Sequence, residues 1–169
     1  FPSSTLEIWK EEYPDLLDEQ GLIHPRYGCV AVLSSGKLVI VDTGDGPPAG
    51  TLMDEMRDKG VNSQDVDIVV TTHFHGDHVG WNLTDGRPTF PNARYLVPKV
   101  DYEYWTSDEV LASSPRVRTQ VIPLLELGVI DLIEGEHQIT EELTALPTPG
   151  HTPGHISVAV SSEGQRAFI

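Results

Sequence analysis

The chain has 169 residues, enough to bury one domain-sized core, and its 38% hydrophobic and 22% charged residues are the composition of a globular chain, not a disordered one. Its 11 basic against 26 acidic residues leave a net charge of -15, which repels a nucleic-acid backbone or an anionic membrane over most of the surface. A single cysteine, Cys29, excludes an intrachain disulfide, no apolar run reaches the ~18 residues of a membrane helix, and no signal peptide opens the chain, so a soluble, cytoplasmic protein is expected, although Phe1 is not an initiating Met.

In chain order, "GCVAVLSSGKLVIVDT" (28–43) reads as two strands around a short Gly-containing connection, a hairpin. "GTLMDEMRDKG" (50–60) places Leu52, Met53, Met56 and Lys59 on one helical face and stops at Gly60. "DVDIVVTT" (65–72) is a buried strand that delivers the chain into a histidine cluster, and "NARYLVP" (92–98) is the next strand. Between 98 and 127 the pattern is helical but interrupted, with Pro115 opening one helix and Pro123 limiting one. From 129 onward "VIDLIE", "HQIT", "LTALPT" and "HISVAVSS" are short strands. The segments 30–44 and 158–169 share one plan, strand, Ser-Ser, Gly turn, strand, as expected of two halves of one architecture.

The cluster "TTHFHGDHVG" (71–80) holds three of the chain's 7 histidines. On extended backbone His73 and His75 project to one side and Phe74 to the other, into the core, so two imidazoles share one point. Gly76 then lets the backbone turn and swing Asp77 and His78 toward a second point. Imidazoles suit zinc, iron and related ions, and an added carboxylate leaves coordination positions open for water. A further ligand for the first point is offered by "PTPGHTPGH" (147–155), whose rigid loop carries His151 and His155. Asp42 in "VDTG" (41–44) either satisfies turn amides or orients a metal-bound imidazole. His24 and His137 stand alone and read as surface or packing residues.

Together, "THFHGDH", "VDTG" and "TPGHTPGH" resemble the metallo-β-lactamase superfamily, of the hydrolase kind that includes acyl-homoserine-lactone lactonases, glyoxalase II and the methyl parathion hydrolase group. The resemblance runs from about residue 28 to 169, and "THFHGDHVGWN" with "TFPNARYLVPKVDYEYW" is most similar to the lactonase and organophosphate-hydrolase-like branch. It implies an α/β fold, a single domain over 1–169 built as an αββα sandwich, with the first half and the start of the second present. It also implies a dinuclear centre in which His73, His75 and His151 match ligands of the first ion, and Asp77 and His78 match ligands of the second. His155 matches a family residue that is not usually a ligand. The family's bridging aspartate and last histidine would lie beyond Ile169, so a C-terminally incomplete chain with an uncovered apolar sheet face is expected.

The implied activity is a metal-dependent hydrolase in which a metal-bound hydroxide cleaves an ester, lactone or related acyl or phosphoryl bond, with Asp77 relaying a proton to the leaving group. Two divalent ions are expected, zinc foremost, with iron, manganese and cobalt compatible. The expected partner is a small-molecule substrate, without nucleic acid or membrane, and a homo-oligomer is compatible. Three alternatives stand beside this reading: a flavodiiron protein, against which His75 counts because that branch has glutamate there; an RNA-processing nuclease, against which the charge counts; and a non-catalytic metal-binding or structural relative. Trp81, Tyr102, Tyr104 and Trp105 are pocket walls or core, outside the site.

Overall fold

The structure, a computed structural model, describes residues 5–23 and 28–169, so the reading of His24 lies outside the described residues. Helix α1 (Leu6–Glu12) starts at Thr5, whose hydroxyl oxygen accepts from the Ile8 N–H. The valine-rich run after Cys29 forms β1 (Val30–Ser34) and β2 (Lys37–Val41), joined by Ser35 and Gly36 at φ 50° and 75°. Two consecutive positive φ values give the mirror-image turn whose twist matches that of paired strands. In α2 (Leu52–Asp58) Met56 is buried with Leu52 and Met53 half-buried beside it, and Gly60 at φ 70° ends the helix. Lys59, expected on the same face, is exposed, because the helix closes at Asp58 and Lys59 serves as its cap.

Strand β3 (Ile68–Val70) is shorter than the 65–72 run expected. The Thr71 N–H still donates to the Leu96 carbonyl, but the Thr72 N–H donates to the Asp42 carboxylate at 2.7 Å, which takes the chain out of the ladder. There follow α3 (Gly76–Val79), the small hairpin β4 (Leu83–Thr84) and β5 (Arg87–Pro88), and β6 (Arg94–Pro98). The interrupted helical region is four short helices: α4 (Lys99–Trp105), α5 (Asp108–Ala112), α6 (Pro115–Gln120) and α7 (Ile122–Glu126). α6 ends before Pro123, which itself falls in the first turn of α7, where no N–H is needed from it. The chain ends through β7 (Ile130–Ile133), β8 (His137–Gln138), β9 (Leu143–Pro147), β10 (Ile156–Ser162) and β11 (Gln165–Phe168).

One sheet runs β1-β2-β3-β6-β7, parallel from β2 onward, and a second, wholly antiparallel, runs β11-β10-β9-β8. The β10–β11 turn, Glu163 and Gly164 at φ 50° and 75°, repeats the β1–β2 turn, so the two hairpins alike in sequence are alike in backbone. Side-chain alternation sorts the strands' apolar residues into two layers. Val39, Val41, Ile68, Val70 and Leu96 face Leu143, Ala145, Ile156 and Val158 of the second sheet. Ile40, Val69, Tyr95 and Val97 point the other way, against Met56, Val79, Val117 and Leu124 of the helices. The order is helix, sheet, sheet. The outer face of the second sheet carries half-buried Thr144, Leu146, Ser157 and Ala159. That mixed face departs from the apolar one expected, because an antiparallel strand with one face in a core alternates toward polarity on the other.

The two sheets are tied at both ends. The Ile156 N–H donates to the Thr72 carbonyl at 3.1 Å at one end, and at the other the Ser34 hydroxyl meets Thr140 Oγ1 and the Glu142 carboxylate. Among the described residues no helix is long and apolar enough to cross a membrane.

Candidate metal centre

β2 and β3 end side by side, Val41 opposite Val70, and release their chains into loops that carry Asp42 and residues 71–75. The loop before β10 reaches the same edge and brings His151 and His155 with it. Asp42, buried and at φ 58°, organises the site. Its Oδ1 accepts the Thr72 N–H, and its Oδ2 accepts both the Thr72 hydroxyl and His78 Nδ1–H, each at 2.7 Å. Because the Thr72 proton is committed to the carboxylate, its oxygen accepts from His73 Nδ1–H at 3.0 Å. That fixes the tautomer of His73 with its lone pair on Nε2.

His73 Nε2 lies 3.0 Å from His75 Nδ1, which lies 3.0 Å from His151 Nε2. Atoms of the three rings fall within 4.8 Å of one another. Hydrogen bonds cannot satisfy this trio. If His75 Nδ1 carries a proton it donates to only one neighbour, and if it is bare it accepts from His151 Nε2–H at most and leaves His73 Nε2, whose proton sits at Nδ1, without a donor. A cation satisfies all three lone pairs at once, and zinc–nitrogen bonds of ~2.0–2.1 Å at tetrahedral angles place nitrogens roughly 3.3–3.4 Å apart, a few tenths of an ångström from the two 3.0 Å separations here. The residues fit a divalent ion.

Electrostatics point the same way. Burial, then the neighbouring His78, His75, His155 and His151 rings, push His73 down to about 2. His75 is lowered by burial and His151, against the pull of Asp77. Both therefore present neutral nitrogens at neutral pH. His78 behaves differently: burial lowers it, but the hydrogen bond and charge of Asp42, joined by Asp77, carry it above its ordinary value. With Nδ1–H given to Asp42, His78 Nε2 faces Asp77 Oδ2 at 3.5 Å, an approach of two acceptors that needs a proton or a cation between them.

The structure thus brings His73, His75 and His151 together and sets Asp77 and His78 beside them as a pair. His155 lies behind, its ring 5.0 Å from that of His73 and its Nδ1 2.9 Å from Thr148 Oγ1. His137 sits in β8 opposite Ala145, outside the cluster. Of the two roles left open for it, Asp42 is seen as an amide acceptor, and its bond to His78 holds that ring in place. Trp105 stands edge-on to His75 with ring centroids 5.2 Å apart, while Tyr102 packs on Phe74. Thr72, Asp101 and Arg116 were not anticipated. Arg116 pairs with Asp45 at 3.2 Å and lays its chain over Gly76, where an added Cβ would lie 3.1 Å from Arg116 Cγ. Nothing local marks these three, whose partners are distant in sequence or of common type.

Residues 27–169 match the Metallo-beta-lactamase superfamily. The N-acyl homoserine lactonase AttM of Rhizobium radiobacter is 32% identical over 121 residues, 69% of this chain and 44% of its own length. An N-acyl homoserine lactonase of a Bacillus species is 29% identical over 104 residues, 62% of this chain and 36% of its own. The chain thus spans less than half the length of these curated relatives. Of solved structures, the hydrolase AbOPH in the beta lactamase superfamily superposes with a TM-score of 0.81 at 23% identity, covering 96% of this chain and 60% of that one. AidC, a dizinc quorum-quenching lactonase, superposes with a TM-score of 0.79 at 21% identity, covering 99% and 63%. At such identities these superpositions speak for the fold alone. With two stacked sheets, the histidine loops gathered at one sheet edge, and a family match over all but the first residues, this chain belongs to the metallo-beta-lactamase superfamily.

Proposed function

We propose that this chain supplies the metal-binding framework of a hydrolase that opens an ester or lactone, with N-acyl homoserine lactones the first class to test. The observation that carries the reading is the convergence of His73 Nε2, His75 Nδ1 and His151 Nε2. These three hold one divalent ion, and Asp77 and His78 ligate a second. Zinc suits the mixed donor set best, and iron, manganese and cobalt accept the same donors. Such ions, when bound, lower the pKa of water from ~15.7 to roughly 7 and polarise the carbonyl under attack.

The chain's own residues do the rest. Asp42 and Thr72 hold His73 with its lone pair on Nε2, and Asp42 does the same for His78. The Asp77 side chain is about one-third exposed (34%), with Oδ2 toward His78, so its other oxygen is free to take a proton and return it to the leaving alkoxide. Beside His75 a cavity of about 170 Å³ is lined by Phe74, Trp105, Pro115 and Val117 together with Ser113, Ser114 and Arg116, a mostly apolar berth for an acyl chain with a polar rim. The lactonase relatives support the substrate class, and the net charge of -15 disfavours RNA as substrate.

Elemental analysis after exhaustive dialysis, with intact mass measured on the same sample, tests the reading. At least one ion per chain is expected for the parent, since His73, His75 and His151 converge on one point whereas Asp77 and His78 are only part of a second set, and His75→Ala should lose it. Asp77→Asn should remain folded and lose lactone opening, followed by acid release. A parent that holds no ion would overturn the metal reading, and lactone opening by the parent that His75→Ala retains in full would remove the reaction from this site.

A further inference from the structure

Asp101 is fully buried, yet among the described residues it makes no ion pair. Its carboxylate is shared between two loops: Oδ2 accepts the Phe74 N–H and Oδ1 accepts the Gly154 N–H, each at 3.0 Å. Phe74 lies between His73 and His75, and Gly154 lies in the loop that carries His151 and His155. Asp101 stands in the first turn of α4, directly after β6, and β6 pairs with β3 at Val70 and Leu96. The sheet thereby sets this turn beside the place where β3 runs out into the histidines.

We propose that Asp101 is a positioning residue for the metal centre, a two-oxygen clamp that fixes how far the His73–His75 loop stands from the His151 loop. The inference rests on reading these histidines as ligands. Only a carboxylate offers one acceptor to each of two N–H groups; asparagine would turn an NH2 toward one of them. Gly154 completes the clamp, since a Cβ there would lie 2.1 Å from Asp101 N and 2.8 Å from its Cα and Cβ, so only glycine lets the loop reach the helix turn. A carboxylate buried here is costly by itself and is offset by the two N–H bonds, and a dication held by the histidines would offset it further.

The first measurement uses metal-free protein. Amide hydrogen exchange at Phe74 and Gly154 should be slow in the parent although both lie in loops, and Asp101→Asn should release the two together. Bulk-like exchange of either amide in the parent overturns the clamp, and this outcome needs no variant to fold. The second is a cobalt(II) titration followed by visible absorption. Asp101→Asn should bind cobalt at least tenfold more weakly and with an altered spectrum, and Asp101→Glu, which keeps the charge but moves the oxygens, should also weaken it. Unchanged affinity and spectrum in Asp101→Asn, even with a lowered melting temperature, would reduce Asp101 to a fold element. Parent-like binding by Asp101→Glu would assign its effect to charge, against positioning. A parent that takes up no cobalt would instead overturn the ligand assignment, and the amide exchange would still decide whether the clamp exists.

Discussion

Cys29 shows how the acidic surroundings of the site reach a residue outside it. Burial, then the charges of Asp42 and Glu55, push its thiol up to about 12 from 9.0. A raised folded value means the neutral thiol is the stabilised form, fully so below the unfolded value and no longer above the folded one. At pH ~8 a rise of that size leaves on the order of a thousandfold less thiolate than in a free cysteine, and the greater nucleophilicity of a high-pKa thiolate restores only part of that. Alkylation by iodoacetamide, followed by mass, should therefore run roughly thirtyfold or more slower than for unfolded chain; a rate equal to that of unfolded chain would contradict this burial. The histidines were readable from sequence because their type and local spacing announce their chemistry. Thr72 and Asp101 were not: hydroxyls and carboxylates are common, and the amides that Asp101 holds lie 27 and 53 positions away.

At the scale of elements, the site depends on backbones that touch. A Cβ on Gly80 would lie 2.0 Å from Gly46 N and 2.6 Å from the Gly44 carbonyl, and the Gly80 N–H donates to that carbonyl at 2.8 Å. Gly80→Ala must push the 44–46 loop off α3, and the expected loss is about 2 kcal/mol or more. Denaturant unfolding measures it, and a parent-like midpoint would mean the loop yields freely. The hairpins were readable because two turn residues with positive φ decide them locally. Pairing between distant segments was not, and β7, which reads like the strands after it, instead joins the first sheet beside β6 through Tyr95 and Ile130. The end of β3 was hidden for the same reason, since what captures the Thr72 N–H is a carboxylate 30 residues earlier.

Over the whole molecule, the layer order was readable from strand alternation and from motif resemblance together, since Val39, Ile40 and Val41 already assign opposite faces to opposite layers. The charge of -15 is also a property of the whole. Single-stranded RNA should bind more weakly than ~10⁻⁴ M at physiological salt, as fluorescence anisotropy would report, and micromolar binding would revive the nuclease alternative. His75 and His151, 3.0 Å apart in space, are 76 positions apart in the chain. Closing a loop of that length costs about 4 kcal/mol in chain entropy, whereas His73 and His75 are neighbours before any sheet has stacked. If the proposed ligands hold an ion, one offered during refolding would meet that pair first and gain His151 only when the second sheet docks. On that ligand set, the chain's grip on an ion should tighten in step with the docking of the second sheet.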